Sequence, residues 1–382
     1  MPGAGAFAAS ALLRNGEVLV AGGLDAGDAP TASAAVYDPA TGQWSAAAAM
    51  STPRVGAVAV VLASGDVLVA GGVDGSGAPL SSAELFDPTT DSWSAAAPMP
   101  SAREFAAAAV LPDGAVLVAG GVGDGHAELA TAIAYHPGSN TWTSVAAMGT
   151  ARSFAAAAGL GDGRVLVAGG MGAGGPLATA EIFDPATGAW SPTVPMATAC
   201  AMGQAVLLSG GDVLVAGDAP DAQLYDPSSG TWSLTDAAGS PTGTFLDLVP
   251  LPGGGALAVG GDVAGSGSSA AEVYDAGSNQ WASAGALPSP LMAAAAVELG
   301  NGEVLVAGGA QGTLSSSARD ITPEAGSELY STTAHPAAAS VSRPVPSPGS
   351  PWPWVGIGAL VLILAAAAAA FRRRLPGLRG RA

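Results

Sequence analysis

Short apolar runs closed by a pair of glycines punctuate the chain. Asp66-Val67-Leu68-Val69-Ala70-Gly71-Gly72 is the clearest. The same pattern returns at Glu17–Gly23, Ala115–Gly121, Arg164–Gly170 and Glu303–Gly309. Weaker copies are Asp212–Asp218, where Asp218 replaces the second glycine, and Gly255–Gly261. Apolar runs of this length, bounded by turn formers, read as β-strands. A repeated glycine pattern reads as a repeat architecture, not as disorder.

One full unit runs from Arg54 to Met99. Its first strand is the small, apolar Val55–Leu62, and a turn leads to the second, Val67–Ala70. A polar loop precedes the third strand, Ala83–Asp87, which Pro88 stops. Trp93 opens the fourth. Four short strands joined by tight turns predict an antiparallel meander. Trp44, Trp93, Trp142, Trp190, Trp232 and Trp281 mark the fourth strands. Each has an aromatic seven residues upstream: Tyr37, Phe86, Tyr135, Phe183, Tyr225 and Tyr274. Such a sheet cannot bury both faces alone, but radial stacking buries them between neighbours. The first strands are mostly Ala, Val and Gly, as a crowded axis requires, and Trp falls on the outermost strand.

The Gly-Gly after a β-run, the Tyr/Phe-Asp-Pro, the Trp seven residues later and the Met-Pro-x-x-Arg join resemble kelch repeats, over about residues 1–330. The resemblance implies an all-β, kelch-type β-propeller. Seven first-and-second-strand pairs predict seven blades. The last is incomplete, because no Trp follows Ser327-Glu328-Leu329-Tyr330. Met1–Ala9 aligns without a gap to Met99–Ala107, so the missing strand and an export signal are expected upstream of Met1.

Beyond the repeats, residues 331–353 are rich in Ser, Thr, Ala and Pro and read as an extended linker. Residues 354–371 are all apolar, flanked by Trp352 and by Arg372-Arg373-Arg374. About 20 apolar residues span a bilayer core, so a C-terminal transmembrane helix is expected. The basic tail, 372–382, should stay cytoplasmic. That places the propeller outside the membrane, at a bacterial-type cell surface or in a periplasm. The arrangement is also similar to bacterial C-terminal sorting tails.

The net charge is −18, and all 30 acidic residues precede Pro351 while five of the 12 arginines follow it. The main body is therefore more acidic than the total, which disfavours nucleic acid as a partner.

Little in the residues points to chemistry. His126, His136 and His335 are scattered, and Cys200 sits in a small apolar stretch. No metal centre is expected from them. Gly169–Gly175 lacks the Gly-Lys-Ser/Thr ending of a phosphate loop. Asp25, Asp28, Asp74, Asp124, Asp218, Asp221 and Asp262 follow the Gly pairs and are expected to be solvated loop charges. Weak calcium binding is the most they offer. Copper oxidases of the galactose-oxidase type share a kelch-like propeller, which implies a need for histidines and tyrosines at one end of the axis. Here Tyr37, Tyr135, Tyr225, Tyr274 and Tyr330 occupy one repeated position, where Phe substitutes twice, and so read as packing. Arg54, Arg103 and Arg152, with Glu84, Glu181 and Glu272, repeat in equivalent positions and read as structural pairs. Glu104 and His126 break the repeat and are the places to inspect for function.

The sequence therefore points to a noncatalytic recognition or scaffolding protein that binds protein or glycan through its loops. No catalytic, cofactor or metal residue is assigned. The alternative is an exported carbohydrate-acting or oxidising enzyme on the same scaffold.

Overall fold

The computed structural model describes residues 1–2, 5–236, 241, 243–263, 266–314 and 319–331. They form a seven-bladed β-propeller of six four-stranded sheets and one three-stranded sheet. Blade 2 shows the plan: Val58–Val61 innermost, then Val67–Ala70, Ala83–Asp87 and Ser92–Ala96, each antiparallel to the last. The innermost strands of the other blades begin at Ala9, Ala107, Ala156, Gln204, Thr244 and Ala295. The first strand of the Arg54 unit is shorter than the sequence predicts. Val55 pairs instead with Val73 in an isolated bridge, because the chain there is held by the neighbouring loop.

The seven-residue aromatic spacing is a cross-strand register. Tyr37 faces Trp44, Phe86 faces Trp93, and the other four pairs follow, with ring centroids 4.9–5.3 Å apart. Each indole N–H then reaches towards the preceding blade. Trp93 donates to the Ala48 carbonyl and Trp142 to the Ala97 carbonyl, both at 2.7 Å. The tryptophan thus fastens its own two outer strands together and latches them to a neighbour.

A separate apolar core fills each blade interface. The second strands lie at the heart of these cores, and Val67–Ala70 is buried along its length. Val67, Val69 and Phe86 meet Ala9, Ala11 and Leu19 between blades 1 and 2. Val18, Val20 and Tyr37 meet Leu299, Leu305 and Ala307 where blade 1 returns to blade 7. The Gly pair permits the close approach. Gly71 and Gly72 have φ of +72° and +88°, and a Cβ on either would strike a backbone carbonyl, Arg103 or Val55.

Blade 7 consists of Ala295–Glu298, Glu303–Ala307 and Ser327–Ser331, with no fourth strand among the described residues. Met1 takes the position that Met50 and Met99 take after a fourth strand. Its amino group donates to the Ala325 carbonyl at 2.7 Å, as the Met50 N–H donates to Ala32 and that of Met99 to Ser81. No helix among the described residues is long and apolar enough to cross a membrane. Residues 332–382, which hold the expected transmembrane segment, lie outside the described residues.

Candidate functional site

The inner strands run from the face that carries the long loops to the face that carries the tight turns. At the loop-face start of each stands a residue in the left-handed conformation: Phe7, Gly56, Phe105, Phe154, Met202, Phe245 and Ala293, with φ from +51° to +66°. Six of the seven are not glycine, and each such residue costs about 1–3 kcal/mol unless its surroundings impose the conformation. Here they do. Each residue donates its N–H to the carbonyl of its counterpart in the preceding blade, at 2.8–3.3 Å, and Phe7 closes the circle by donating to Ala293. Seven residues, one per blade, form a closed ring of backbone hydrogen bonds around the axis.

The side chains of that ring close the channel. Phe7, Phe105, Phe154 and Phe245 touch in a four-membered cycle, with centroids 6.3, 4.2, 6.0 and 5.0 Å apart in order round the cycle. Phe105 and Phe154 stack, and the other contacts are edge-on, which suits the ring quadrupoles. Gly56 leaves room for the plug, since a Cβ there would collide with the Phe105 ring. Met202 packs against Phe154 and Phe245 from below blade 5's loop. An aromatic septum thus separates a loop-face vestibule from the rest of the channel.

Polar residues break the repeat around this septum. Glu104 precedes Phe105 and is 7% exposed. Its backbone is paired in both directions with Val122 of the adjacent loop. Among the described residues no donor meets its carboxylate, and burial pushes the carboxyl up to about 7. Ser153 holds the same position in blade 4, and its buried hydroxyl has no hydrogen-bond partner. Asp218, in place of the second glycine, accepts the Ala201 N–H, and burial raises its carboxyl to about 6. On the far side of the septum, Asp247 is buried and accepts from Gln204 Nε2 at 2.5 Å, with its carboxyl pushed up to about 8.

These positions correct part of the sequence reading. Asp218 and Asp262 are not solvated loop charges; both are buried or nearly so. Asp25 and Asp74 do sit in loops, where each accepts two backbone N–H groups of its own turn. Glu104 lies next to the septum residue Phe105. His126 does not: it is exposed in a short 3-10 turn, Asp124–His126. His136 is bonded to Thr143 on the outer strand at 2.9 Å, and His335 lies outside the described residues. No group of three His, Cys, Asp or Glu side chains converges among the described residues. Gln204 and Asp247 drew no attention in the sequence. The available signal was two polar residues at a strand position that is Ala or Val in the other five blades.

The repeated arginines frame the blades. Arg54 pairs with Glu84 at 2.7 Å and Arg152 with Glu181 at 2.9 Å, all buried. Each carboxylate also accepts two backbone N–H groups, of Ser51 and Thr52 or of Gly149 and Thr150. Blade 3 differs. Ile133 replaces the glutamate, Pro100 removes one of the N–H donors, and Arg103 bonds to Ser101 and Thr131 instead. Burial lowers the Arg103 guanidinium to about 10.

The sequence matches the KLHDC2/KLHL20/DRC7 Kelch-repeats domain over residues 8–198. No curated protein matches it. Among solved structures it is similar to one titled "Novel fungal alcohol oxidase with catalytic diversity among the AA5 family, in complex with copper". That match has a TM-score of 0.65 at 18% identity, covering 81% of this chain and 70% of the other. It is also similar to one titled "Structure of YjhT", with a TM-score of 0.55 at 16% identity, covering 86% and 95%. These likenesses establish the fold. They also overturn the expectation that the scaffold is noncatalytic, since a propeller matched over most of this chain is an oxidase. The copper of that protein does not fit the residues described here. Tyr37, Tyr135, Tyr225 and Tyr274 are spent in aromatic pairs on the third strands, and neither described histidine reaches the septum.

Proposed function

We propose that this chain, which belongs to the kelch-repeat family, is a carbohydrate-acting enzyme whose reaction takes place in the loop-face vestibule. The observation that carries the reading is Glu104. It is nine-tenths buried, has no donor of its own, directly precedes Phe105 of the aromatic floor, and burial pushes its carboxyl up to about 7. A general acid–base works best when its pKa lies near the working pH. Structural carboxylates in this protein look different: Glu84 and Glu181 are each met by an arginine and two N–H groups. Desolvation without compensation is the arrangement found where a carboxyl must move a proton.

The floor supplies the second half of the reading. Ring faces carry negative potential and attract polarised C–H groups, such as those on one face of a pyranose. The four phenylalanines are half-buried, so the floor keeps aromatic surface open to such a ligand. In the protonated form Glu104 gives its proton to a sugar oxygen; as carboxylate it takes one from a hydroxyl or a water.

The test is turnover of a panel of glycosides and free sugars by the full chain, with Glu104→Gln alongside. The wild-type rate should titrate near pH 7, and the amide variant should lose about a hundredfold or more in rate without melting lower than the wild type. Equal rates in the two proteins would remove Glu104 from the chemistry.

We also infer, from the sequence of residues 354–382 alone, that the propeller (1–330) is carried on a linker (331–353) by a membrane anchor (354–371), outside the cytoplasm. The apolar run and the arginines behind it support this. Protease added to intact cells should digest the propeller and spare a probe placed after Arg374. A propeller digested only after lysis would contradict it.

A further inference from the structure

The buried arginines of blades 2, 3 and 4 repeat one arrangement, and the copy in blade 3 lacks its counter-charge. Arg54, Arg103 and Arg152 are each 1% exposed or less. Each gives Nη1 to two carbonyls of its own blade: Gly71 and Ser82, Gly120 and Thr131, or Gly169 and Thr179. Each gives Nη2 to the hydroxyl of Ser82, Thr131 or Thr179 at 3.2–3.3 Å. The second Nη2 bond is the one that differs. In blades 2 and 4 it goes to a carboxylate oxygen, Oε1 of Glu84 or of Glu181. In blade 3 it goes to Ser101 Oγ at 2.8 Å.

A hydroxyl accepts that hydrogen bond but offsets no charge. A buried cation without its anion is strongly destabilising. Among the described residues no carboxylate pairs with Arg103. Ile133 holds the glutamate position and ends at the atom where a glutamate has its carboxyl carbon, so it puts no oxygen beyond. The turn in front of the arginine has changed as well. In blades 2 and 4 it gives Oε1 a second donor, the N–H of Thr52 or Thr150, and it gives Oε2 the N–H of Ser51 or Gly149. In blade 3 the first of these remains as the Ser101 N–H, which meets no acceptor among the described residues. Pro100 removes the second. Blade 3 therefore keeps the two donors that meet at Oε1 in its sister blades and has lost the donor for Oε2. The turn is open to solvent, with Pro100 exposed and Ser101 and Ala102 half-buried.

We propose that blade 3 binds a single halide, chloride in ordinary solution, in the place of the missing carboxylate oxygen, between the Arg103 guanidinium and the Ser101 N–H. Ser101 rotates about its Cα–Cβ bond, leaves the guanidinium and turns its O–H to the ion. The donors select a monatomic anion, because a carboxylate would strand its second oxygen beside Pro100. Hydrogen bonds from a charged donor to an anion are the strong ones, and the guanidinium supplies one here. The ion neutralises the repeated arginine that its own blade leaves uncompensated, and it acts as a stabilising ligand of the folded state. The site does not depend on the reading of Glu104, and either can fail without the other.

The test is the melting temperature of the full chain against sodium chloride at constant ionic strength, held with sodium methanesulfonate. Melting should rise with chloride and follow the dependence expected for one site on the folded state. Bromide should act alike, and formate should need about tenfold more, the value of one hydrogen bond. Ile133→Glu writes the sister-blade carboxylate into blade 3 and should abolish the response, whereas Ile133→Val keeps the site and should keep it. Pro100→Gly restores the second N–H and should narrow the gap between formate and chloride. Crystals grown in bromide should carry an anomalous peak between Arg103 Nη2 and the Ser101 nitrogen. Formate equal to chloride in the wild type overturns the choice of a halide. Absence of the bromide peak, or a chloride response unchanged in Ile133→Glu, overturns the site itself, and the peak decides even where Ile133→Glu proves unstable.

Discussion

The backbone N–H of Phe7 donates to the carbonyl of Ala293 at 3.1 Å, and this bond joins the first blade to the last. It is one of seven equivalent bonds, but the only one of them that spans the two ends of the repeat array. Loss of the donor should therefore loosen the junction between the first and last blades. Phe7→Pro removes the N–H and cannot reach the observed φ of +58°. A cost of about 3 kcal/mol or more is expected. Phe7→Leu keeps the donor and disturbs only the septum. Urea midpoints that fall equally for the two variants would show that the closing bond contributes nothing.

The buried pair of Arg152 and Glu181 yields a second prediction. Glu181→Ala strands a buried guanidinium together with the N–H groups of Gly149 and Thr150. Breaking one side of such a pair costs about 3–5 kcal/mol. In blade 3 the equivalent position is already Ile133, and the loop has adjusted through Pro100 and Ser101. Ile133→Val, which removes one methylene, should cost only about 1 kcal/mol. Chemical denaturation of both variants decides whether the carboxylate or the blade geometry holds the arginine.

Stability should fall as pH rises from weakly acid to weakly alkaline values. Burial raises Glu104 from 4.5 to about 7, Asp218 from 3.8 to about 6 and Asp247 from 3.8 to about 8. Between the unfolded and folded values the folded chain holds more protons, so this contribution is complete below about pH 4 and lost by about pH 8. Asp247→Asn should flatten the stability profile above pH 7, where Asp218 has already ionised and Glu104 is past its midpoint. A profile that rises across this window in the wild type would contradict the assignment.

Cys200 occupies the position of Arg54 and Arg152 in blade 5 and is 3% exposed. Burial, with the nearby Asp218 charge, pushes its thiol up to about 12. The thiolate is the reactive form. The folded protein should resist iodoacetamide at pH 8, and urea should release one reactive thiol per chain. Rapid labelling of the native state would place the thiol elsewhere than in the blade.

What the sequence determined by itself is local. Val67–Ala70 is a strand because an apolar β-forming run ends in Gly71 and Gly72. Phe86 meets Trp93 because a tight turn brings residues seven apart into cross-strand register. Repetition of that unit is enough to require radial stacking, since one small sheet cannot bury two faces. Glu104 was legible as a departure from the repeat. The tertiary structure alone decided the rest. Phe7, Phe105, Phe154 and Phe245 form a septum because closure of the ring brings four separate inner-strand starts to one axis. Each is strained in isolation and held by its neighbour's carbonyl and ring. Gln204 meets Asp247, and Asp218 loses its water, through contacts between blades. The sequence pattern carries no distance between one blade and the next, so these pairings and the altered acidities they produce arise only when the propeller closes.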